Sequence, residues 1–358
     1  MDKASASSKP SAPAKASAPP VTTLRDLAAA LKVSHSTVSR ALRDSPHISP
    51  ARRKEIQEAA ERMGYRPNAI ATLLGHQRHT GQKHQVTSEI AWINYWTDPK
   101  KLRSFEEFNL YWKGASKRAE EAGYRLEEFH CGGELNPLRL EKILVARNIH
   151  AILIPPHGGV QPPADWDKID WKKFGIVRLG YSVPSPCAHL VTSNHLTCGM
   201  LAIENMWRLG YKRIGFVATP NQHFLFRAGF LLKQTLQLKE QPPVFTFLSS
   251  DNHLAKLPTF SKWLKKNRLD AILTDLAETR PMLDQLGYRV PEDIGLAATS
   301  ILDGNADAGI DQNSEEIGRV AVETLLSLLN NNEYGIPPIV REIVITGTWV
   351  DGSTLPPR

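Results

Sequence analysis

VTTLRDLAAALKVSHSTVSRALRDSPHISPARRKEIQEAAERMGYRPNAIATLL, residues 21–74, is the stretch whose reading decides the fold. Thr23 stands three residues ahead of Asp26, the spacing of a capping box, and Leu24, Leu27, Ala28 and Leu31 then recur at helical spacing. A first helix is expected to end near Leu31. Lys32 and Val33 form a tight connection, after which Ser34 can cap a second helix over 35–42. Two short helices joined by so brief a turn suggest a helix-turn-helix. Ser49 followed by Pro50 is an N-cap with proline at the first helical position, and Ile56, Ala59, Ala60 and Met63 supply an apolar stripe as far as Gly64. That is a third helix. Pro67 closes the region, and Asn68 can cap a short further helix from Ala69 to Leu74.

The segments LRDLA (24–28), VSHSTVSR (33–40) and GYRPNAIA (64–71) together resemble the signature of the lactose-repressor (LacI/GalR) family of bacterial transcription regulators. Three linked segments at the expected separations are far more specific than a lone helix-turn-helix pattern.

Charge points to the same partner. Residues 1–85 hold 14 of the 44 Lys and Arg but 6 of the 37 Asp and Glu, so the rest of the chain carries 30 basic against 31 acidic residues. The overall +7 therefore belongs to the head. A basic module joined to a near-neutral body suits binding to a polyanion, because phosphate neutralisation with counterion release supplies most non-specific DNA affinity.

In a helix-turn-helix the N-terminal part of the second helix reaches base edges in the major groove, which points to His35, Ser36 and Arg40. Arg40 is suited to a bidentate contact with guanine. Ser34, Thr37, Ser39 and Arg43 are better placed for phosphate, and the family resemblance adds His47, Ser49, Tyr65 and Asn68. Val38 and Leu42 are expected to pack inward. Arg52, Arg53 and Lys54 sit in the first turn of the third helix, where the macrodipole disfavours cations, a placement that hints at phosphate binding. The resemblance implies that the segment after Pro67 is a hinge helix entering the minor groove, with Ala71 on it and Leu74 aligned with the leucine wedged between base steps. One departure stands out in the head. The family places glycine at the turn between its first two helices, and this sequence has Lys32.

With 358 residues the chain exceeds one core. Residues 1–20, nearly all Ala, Ser, Pro and Lys, are expected as a disordered tail, 21–67 as the DNA-binding domain, 68–85 as hinge helix and polar linker, and 86–358 as a two-lobed effector-binding and dimerisation domain. No stretch approaches eighteen consecutive apolar residues, so no membrane partner is expected. Cys131, Cys187 and Cys198 are scattered and odd in number, which favours small buried thiols in a reducing cytosol over disulfides or zinc.

Beyond the linker short apolar runs alternate with helical stretches. Strands are expected over 90–94, 126–129, 151–154 and 176–179, with helices over 108–122 and 138–147. A second series begins near Leu190, with helices over 198–209, 224–238, 259–266 and 278–286 and strands over 213–218, 244–248, 271–273 and 294–298. Strands separated by helices imply parallel sheets, so the fold class is an all-α helix-turn-helix head plus an α/β body of two doubly wound parallel-sheet lobes. LGYKRIGF (209–216), GYRVPEDI (287–294) and EIGRVA (316–321) extend the family resemblance to about residues 22–350. It implies a body like a periplasmic sugar-binding protein, with a ligand cleft between lobes and a two-fold homodimer.

Ligands of such folds bind at the carboxyl ends of strands, which places Tyr95, Trp96, Pro155, His157, Tyr181, Asp275 and Ser300 near the cleft. Here the chain departs from sugar-binding members. They carry Arg where this chain has Phe226, with Arg227 displaced by one, Asn-Asp where it has Thr274-Asp275, and Asp where it has Ser300. Losing those grips removes the bidentate bonds that orient sugar hydroxyls. The effector is then a less polar molecule, one that stacks on Trp96 or Phe226, or is absent.

Enzyme chemistry finds little support. There is no Gly-x-Ser-x-Gly elbow, HExxH helix, P-loop or paired CxxC, and the twelve histidines lack metal-ligand spacing, so no cofactor or metal is expected. His157-Gly-Gly after a strand could form a phosphate or oxyanion loop, but no helix follows convincingly. A transport solute-binding protein would need a signal peptide and no DNA head, and a hydrolase would need a nucleophile and base in the cleft. The expectation is a homodimeric repressor acting at the bacterial nucleoid in the cytoplasm, binding a near-palindromic double-stranded operator under control of a small-molecule effector, with sugars among the candidates. The alternative is a ligand-independent regulator with a degenerate cleft.

Overall fold

The computed structural model describes residues 24–42, 48–63, 88–133, 135–218, 224–237, 245–248, 256–303 and 306–358. Outside them lie the expected tail over 1–20, the Thr23 cap, the linker, and the hinge helix with Ala71 and Leu74. The chain divides into two compact units, Met1–Thr72 and Leu73–Arg358.

The first unit contains α1 (Leu24–Ala30), α2 (His35–Leu42) and α3 (Pro50–Arg62). Leu27, Val38, Ala41 and Ile56 are fully buried, Ala28, Ala59 and Ala60 nearly so, and Leu31, Val33, Leu42, Ile48 and Met63 pack around them. The helical apolar period of each segment thus meets in one small core. At the end of α1 the Val33 N–H donates to Ala28 O at 3.0 Å and the Lys32 N–H to Ala29 O at 3.3 Å, the paired bonds of a Schellman cap. Lys32 supplies its left-handed residue, with φ 51°.

The second unit holds two six-stranded sheets. The first contains β1 (Ser88–Asn94), β2 (Tyr124–His130), β3 (Ala151–Ile154), β4 (Gly175–Leu179), β5 (His189–Ser193) and β11 (Glu342–Ile345), in the order β11-β5-β4-β3-β1-β2, every pair parallel. The second contains β6 (Ile214–Ala218), β7 (Phe245–Leu248), β8 (Ala271–Thr274), β9 (Gly295–Ala298), β10 (Gly309–Asp311) and β12 (Thr348–Val350), in the order β12-β10-β9-β8-β6-β7. β12 runs antiparallel to β10, a departure from the all-parallel expectation. Strands such as AILI of β3 are buried on both faces, as parallel sheets covered by helices require.

The helices of this unit are α4 (Lys101–Ser104), α5 (Glu106–Glu121), α6 (Pro137–Ala146), α7 (His195–Arg208), α8 (Phe224–Gln237), α9 (Leu257–Asn267), α10 (Thr279–Gln285) and α11 (Ser314–Asn330). One expectation is corrected here. The strand near Leu190 does not open the second lobe: β5 pairs with β4 and belongs to the first sheet, and the chain crosses only afterwards, into α7. It returns through α11, which packs on α5 and on β3, β4 and β5, before β11 joins the first sheet and β12 the second.

In each lobe two helices approach so closely that a glycine faces a backbone carbonyl. A β-carbon at Gly114 of α5 would lie 1.9 Å from Glu315 O, and one at Gly318 of α11 would lie 2.0 Å from Tyr111 O. In the other lobe Gly199 of α7 faces Phe226 O at 2.0 Å and Gly229 of α8 faces Leu196 O at 1.9 Å. An ion pair of Arg118 with Glu323 at 3.1 Å then links α5 to α11, and Arg319 pairs with Glu316 and Glu323 within α11.

Candidate functional site

α2 turns Val38 and Ala41 into the head core and half-buries Leu42, leaving His35, Ser36 and Arg40 exposed on its other side. The start of this helix is fixed by Ser34, whose Oγ accepts the Thr37 N–H at 3.1 Å. That oxygen also lies 2.8 Å from both the Ser36 Oγ and the Thr37 Oγ1. Three of the expected DNA-contacting side chains are therefore joined to one another. Ser49 is exposed at the start of α3, of Ser39 the backbone alone is described, and Arg43, His47, Tyr65 and Asn68 lie outside the described residues.

The basic first turn of α3 is partly structural. Arg53 is half-buried and its Nη2 donates to Ile48 O at 3.2 Å, tying down the segment ahead of the helix. Arg52 pairs with Glu55 at 2.5 Å, and Lys54 lies 4.0 Å from Glu58. These contacts offset the macrodipole cost that the sequence takes as a sign of phosphate binding.

In the body, Tyr95 and Trp96 follow β1, Pro155 and His157 follow β3, and Tyr181 follows β4, so the first sheet gathers them at its carboxyl edge. Tyr95, Trp96 and His157 pack on one another. His157 is fully buried, stacks on Tyr95, and accepts the Tyr95 backbone N–H through Nε2 at 2.9 Å, while its backbone N–H donates to Ser182 Oγ at 3.0 Å. Pro155 is buried beside it, and the Trp96 indole N–H donates to Pro156 O at 3.1 Å. Burial drives the His157 imidazole down to about 3, so it is neutral. A β-carbon on Gly158, at φ 54°, would lie 2.7 Å from the Trp96 ring. Gly158 thus makes room for Trp96, while a β-carbon on Gly159, at φ 86°, would meet nothing within 4 Å.

In the other lobe Asp275 follows β8, its N–H donating to Val217 O at 3.2 Å. Ser300 follows β9, is 2% exposed, and accepts the Leu302 N–H at 3.4 Å. Phe226 is fully buried with Phe216 and Phe230, so it offers a ligand no free ring face as it stands, while its neighbour Arg227 is half-buried. His195 stands at the start of α7. Its ring lies 5.7 Å from Tyr181 and 6.5 Å from Phe226, joining candidates from the two lobes. No sequence signal marks it, because it depends on where the chain crosses. A groove of about 470 Å³ runs between α5 and the start of α11, lined by Lys117, Arg118, Glu121, Asp311 and Glu315 among others, and includes none of the expected cleft residues.

Cys131 and Cys198 are buried and Cys187 is exposed, all three as free thiols. Among the described residues no group of three or more His, Cys, Asp or Glu is arranged to hold a metal, and no helix is long and apolar enough to cross a membrane.

Residues 23–68 match the family model described as bacterial regulatory proteins, lacI family. Over 90% of this chain and 97% of the relative, the sequence is 24% identical to the HTH-type transcriptional regulator MalR of Streptococcus pneumoniae. Among solved structures, a transcriptional regulator CelR–cellobiose complex superposes with a TM-score of 0.56 at 18% identity, over 93% of this chain and 99% of that one. The lac repressor dimer bound to operator and the anti-inducer ONPF superposes with a TM-score of 0.53, also at 18% identity, over 94% and 99%. The likeness to these two structures is one of fold.

Proposed function

We propose, from the premise that this chain is a transcription regulator of the lacI family, that it represses genes by placing α2 in the major groove of an operator and that a small molecule between the lobes sets its affinity. The observation that carries the reading is the polar face of α2, with His35, Ser36 and Arg40 exposed while Val38 and Ala41 anchor the helix from behind. His35, Ser36 and Arg40 are assigned to base edges. Ser34, Thr37, Ser39, Arg43, His47, Ser49, Tyr65 and Asn68 are assigned to phosphates, and Ala71 and Leu74 to a minor-groove hinge. The domain boundaries follow as residues 21–67, 68–85 and 86–358. The protein acts as a homodimer on a near-palindrome in the bacterial cytoplasm, at the nucleoid, and does no chemistry on its ligand.

Support for an effector comes from the likeness of the fold to a regulator solved with cellobiose and to a repressor solved with an anti-inducer. Mechanistically, lobe rotation alters the spacing of paired hinge segments, so effector and operator affinities are linked reciprocally. A second reading is a regulator that needs no ligand. The burial of Phe226 and Ser300 favours it, because the Phe226 ring already spends its surface in the core and the Ser300 hydroxyl accepts the Leu302 N–H. A thermal-shift screen against sugars and other small metabolites separates the two: a ligand at a hundred times its Kd should stabilise by about 2.7 kcal/mol, and a full panel without a shift supports the second reading. Arg40→Ala tests the DNA contact directly, with base preference expected to relax at one position per half-site. A uniform loss of affinity would make Arg40 a phosphate contact instead.

A further inference from the structure

We infer that Ser36 reads its base only as a hydrogen-bond acceptor, and so selects the exocyclic amino group of cytosine or adenine, because the hydroxyl chain Ser36–Ser34–Thr37 fixes where its proton points. The inference rests on the proposed role of α2, with Ser36 at a base edge, the Thr37 hydroxyl at a phosphate, and Ser34 meeting phosphate through its backbone N–H because its Oγ is fully engaged within the chain. The Ser34 Oγ has three polar neighbours: the Thr37 N–H at 3.1 Å, the Ser36 Oγ at 2.8 Å and the Thr37 Oγ1 at 2.8 Å. A hydroxyl carries one proton and two lone pairs. The amide takes one lone pair. Of the two neighbouring hydroxyls, one must therefore donate to Ser34 and the other must accept from it.

In the free protein both directions satisfy that rule. A phosphate breaks the tie, because its oxygens only accept. Thr37 set against phosphate turns its proton outward and accepts from Ser34, and Ser34 then accepts from Ser36. The single proton of Ser36 is held inside the chain, and its lone pairs face the groove. Lone pairs fit the N4 amino group of cytosine or the N6 amino group of adenine, and they oppose O6 and N7 of guanine and O4 of thymine. An isolated serine has no such bias, since its hydroxyl rotates to donate or accept as required. The N-cap thus converts an indifferent side chain into a selective one, with the phosphate contact as its trigger.

The test is selection of bound duplexes from randomised operators by the full-length protein and three variants. Ser36→Ala locates the position that Ser36 reads. There the parent protein should prefer the natural pair, by roughly threefold to tenfold, the range a single hydrogen bond supports, over a pair whose cytosine or adenine lacks its exocyclic amino group. Thr37→Val keeps the branched shape and the N–H to Ser34 but frees the chain, so that preference should shrink to about twofold or less while affinity falls evenly across sequences. Ser34→Gly, a residue tolerated at an N-cap, removes the bridge and should give the same relaxation. No loss of affinity on removing that amino group, an intact preference in both Thr37→Val and Ser34→Gly, or no position altered by Ser36→Ala would overturn the inference alone. No sequence preference anywhere would overturn the proposed reading of α2 and this inference with it.

Discussion

Tyr95 and His157 lie face to face, their ring centroids 3.2 Å apart and their planes within 2°, and the Tyr95 N–H donates to His157 Nε2 at 2.9 Å. This pair seals the carboxyl edge of β1 against that of β3. Burial holds the imidazole at about 3, against a weaker opposing pull from the Pro155 backbone. The unfolded chain takes up a proton near pH 6.5 that the folded body refuses. Stability from this residue is therefore complete above about 6.5 and is lost as pH falls towards 3, by up to about 1.4 kcal/mol per pH unit. His157→Gln keeps an acceptor for Tyr95 but cannot titrate. Urea midpoints of the body between pH 6 and 4 should fall less steeply for this variant than for the parent, and equal slopes would contradict the account.

Lys32 closes α1 in the left-handed region with φ 51°, where a β-carbon costs roughly 1–2 kcal/mol. Glycine there should stabilise the head. In the full-length Lys32→Gly variant, exchange of the Val33 amide, bonded to Ala28 O, is expected to slow about fivefold, corresponding to about 1 kcal/mol, while Lys32→Ala should leave it nearly unchanged. Unaltered or faster exchange in the glycine variant would mean that the turn tolerates lysine without strain.

Gly318 lets α11 reach α5. A β-carbon there would meet Tyr111 O at 2.0 Å, which a backbone carbonyl can relieve only by moving the helix. Gly318→Ala should destabilise the body by about 1–3 kcal/mol, seen as a fall of several degrees in its melting temperature. Gly114→Ala, which meets Glu315 O at 1.9 Å, should do the same. A melting temperature equal to the parent's in both variants would contradict the close packing.

Much of this was legible in the sequence because it follows from local periodicity. Residues 151–154 are expected as a strand and form β3, and the helix expected over 224–238 is α8. Apolar spacing also places Val38 inward and His35 outward on α2. What needed the structure is non-local. β5 looks like the start of a second series, yet it hydrogen-bonds to β4, since sheet membership depends on where the chain crosses. β11 and β12 are short strands, four and three residues long, and are placed in different sheets by the return through α11. Arg53 shows the limit of charge patterning, because the sequence does not announce that this guanidinium also donates to Ile48 O. In the same way Phe226, a candidate platform for a ligand, packs into the core formed with Phe216 and Phe230. The hydroxyl chain at Ser34 depends on rotamers and no pattern announces it.

The central claim is that α2 reads DNA sequence through the side chains it exposes. Its most direct test is selection from a fully random duplex library by the full-length protein, with Arg40→Ala in parallel. The account predicts a near-palindromic consensus whose preference relaxes at one position in each half-site in the variant. Recovery of sequences without a common pattern, or a consensus that Arg40→Ala leaves intact, would contradict it.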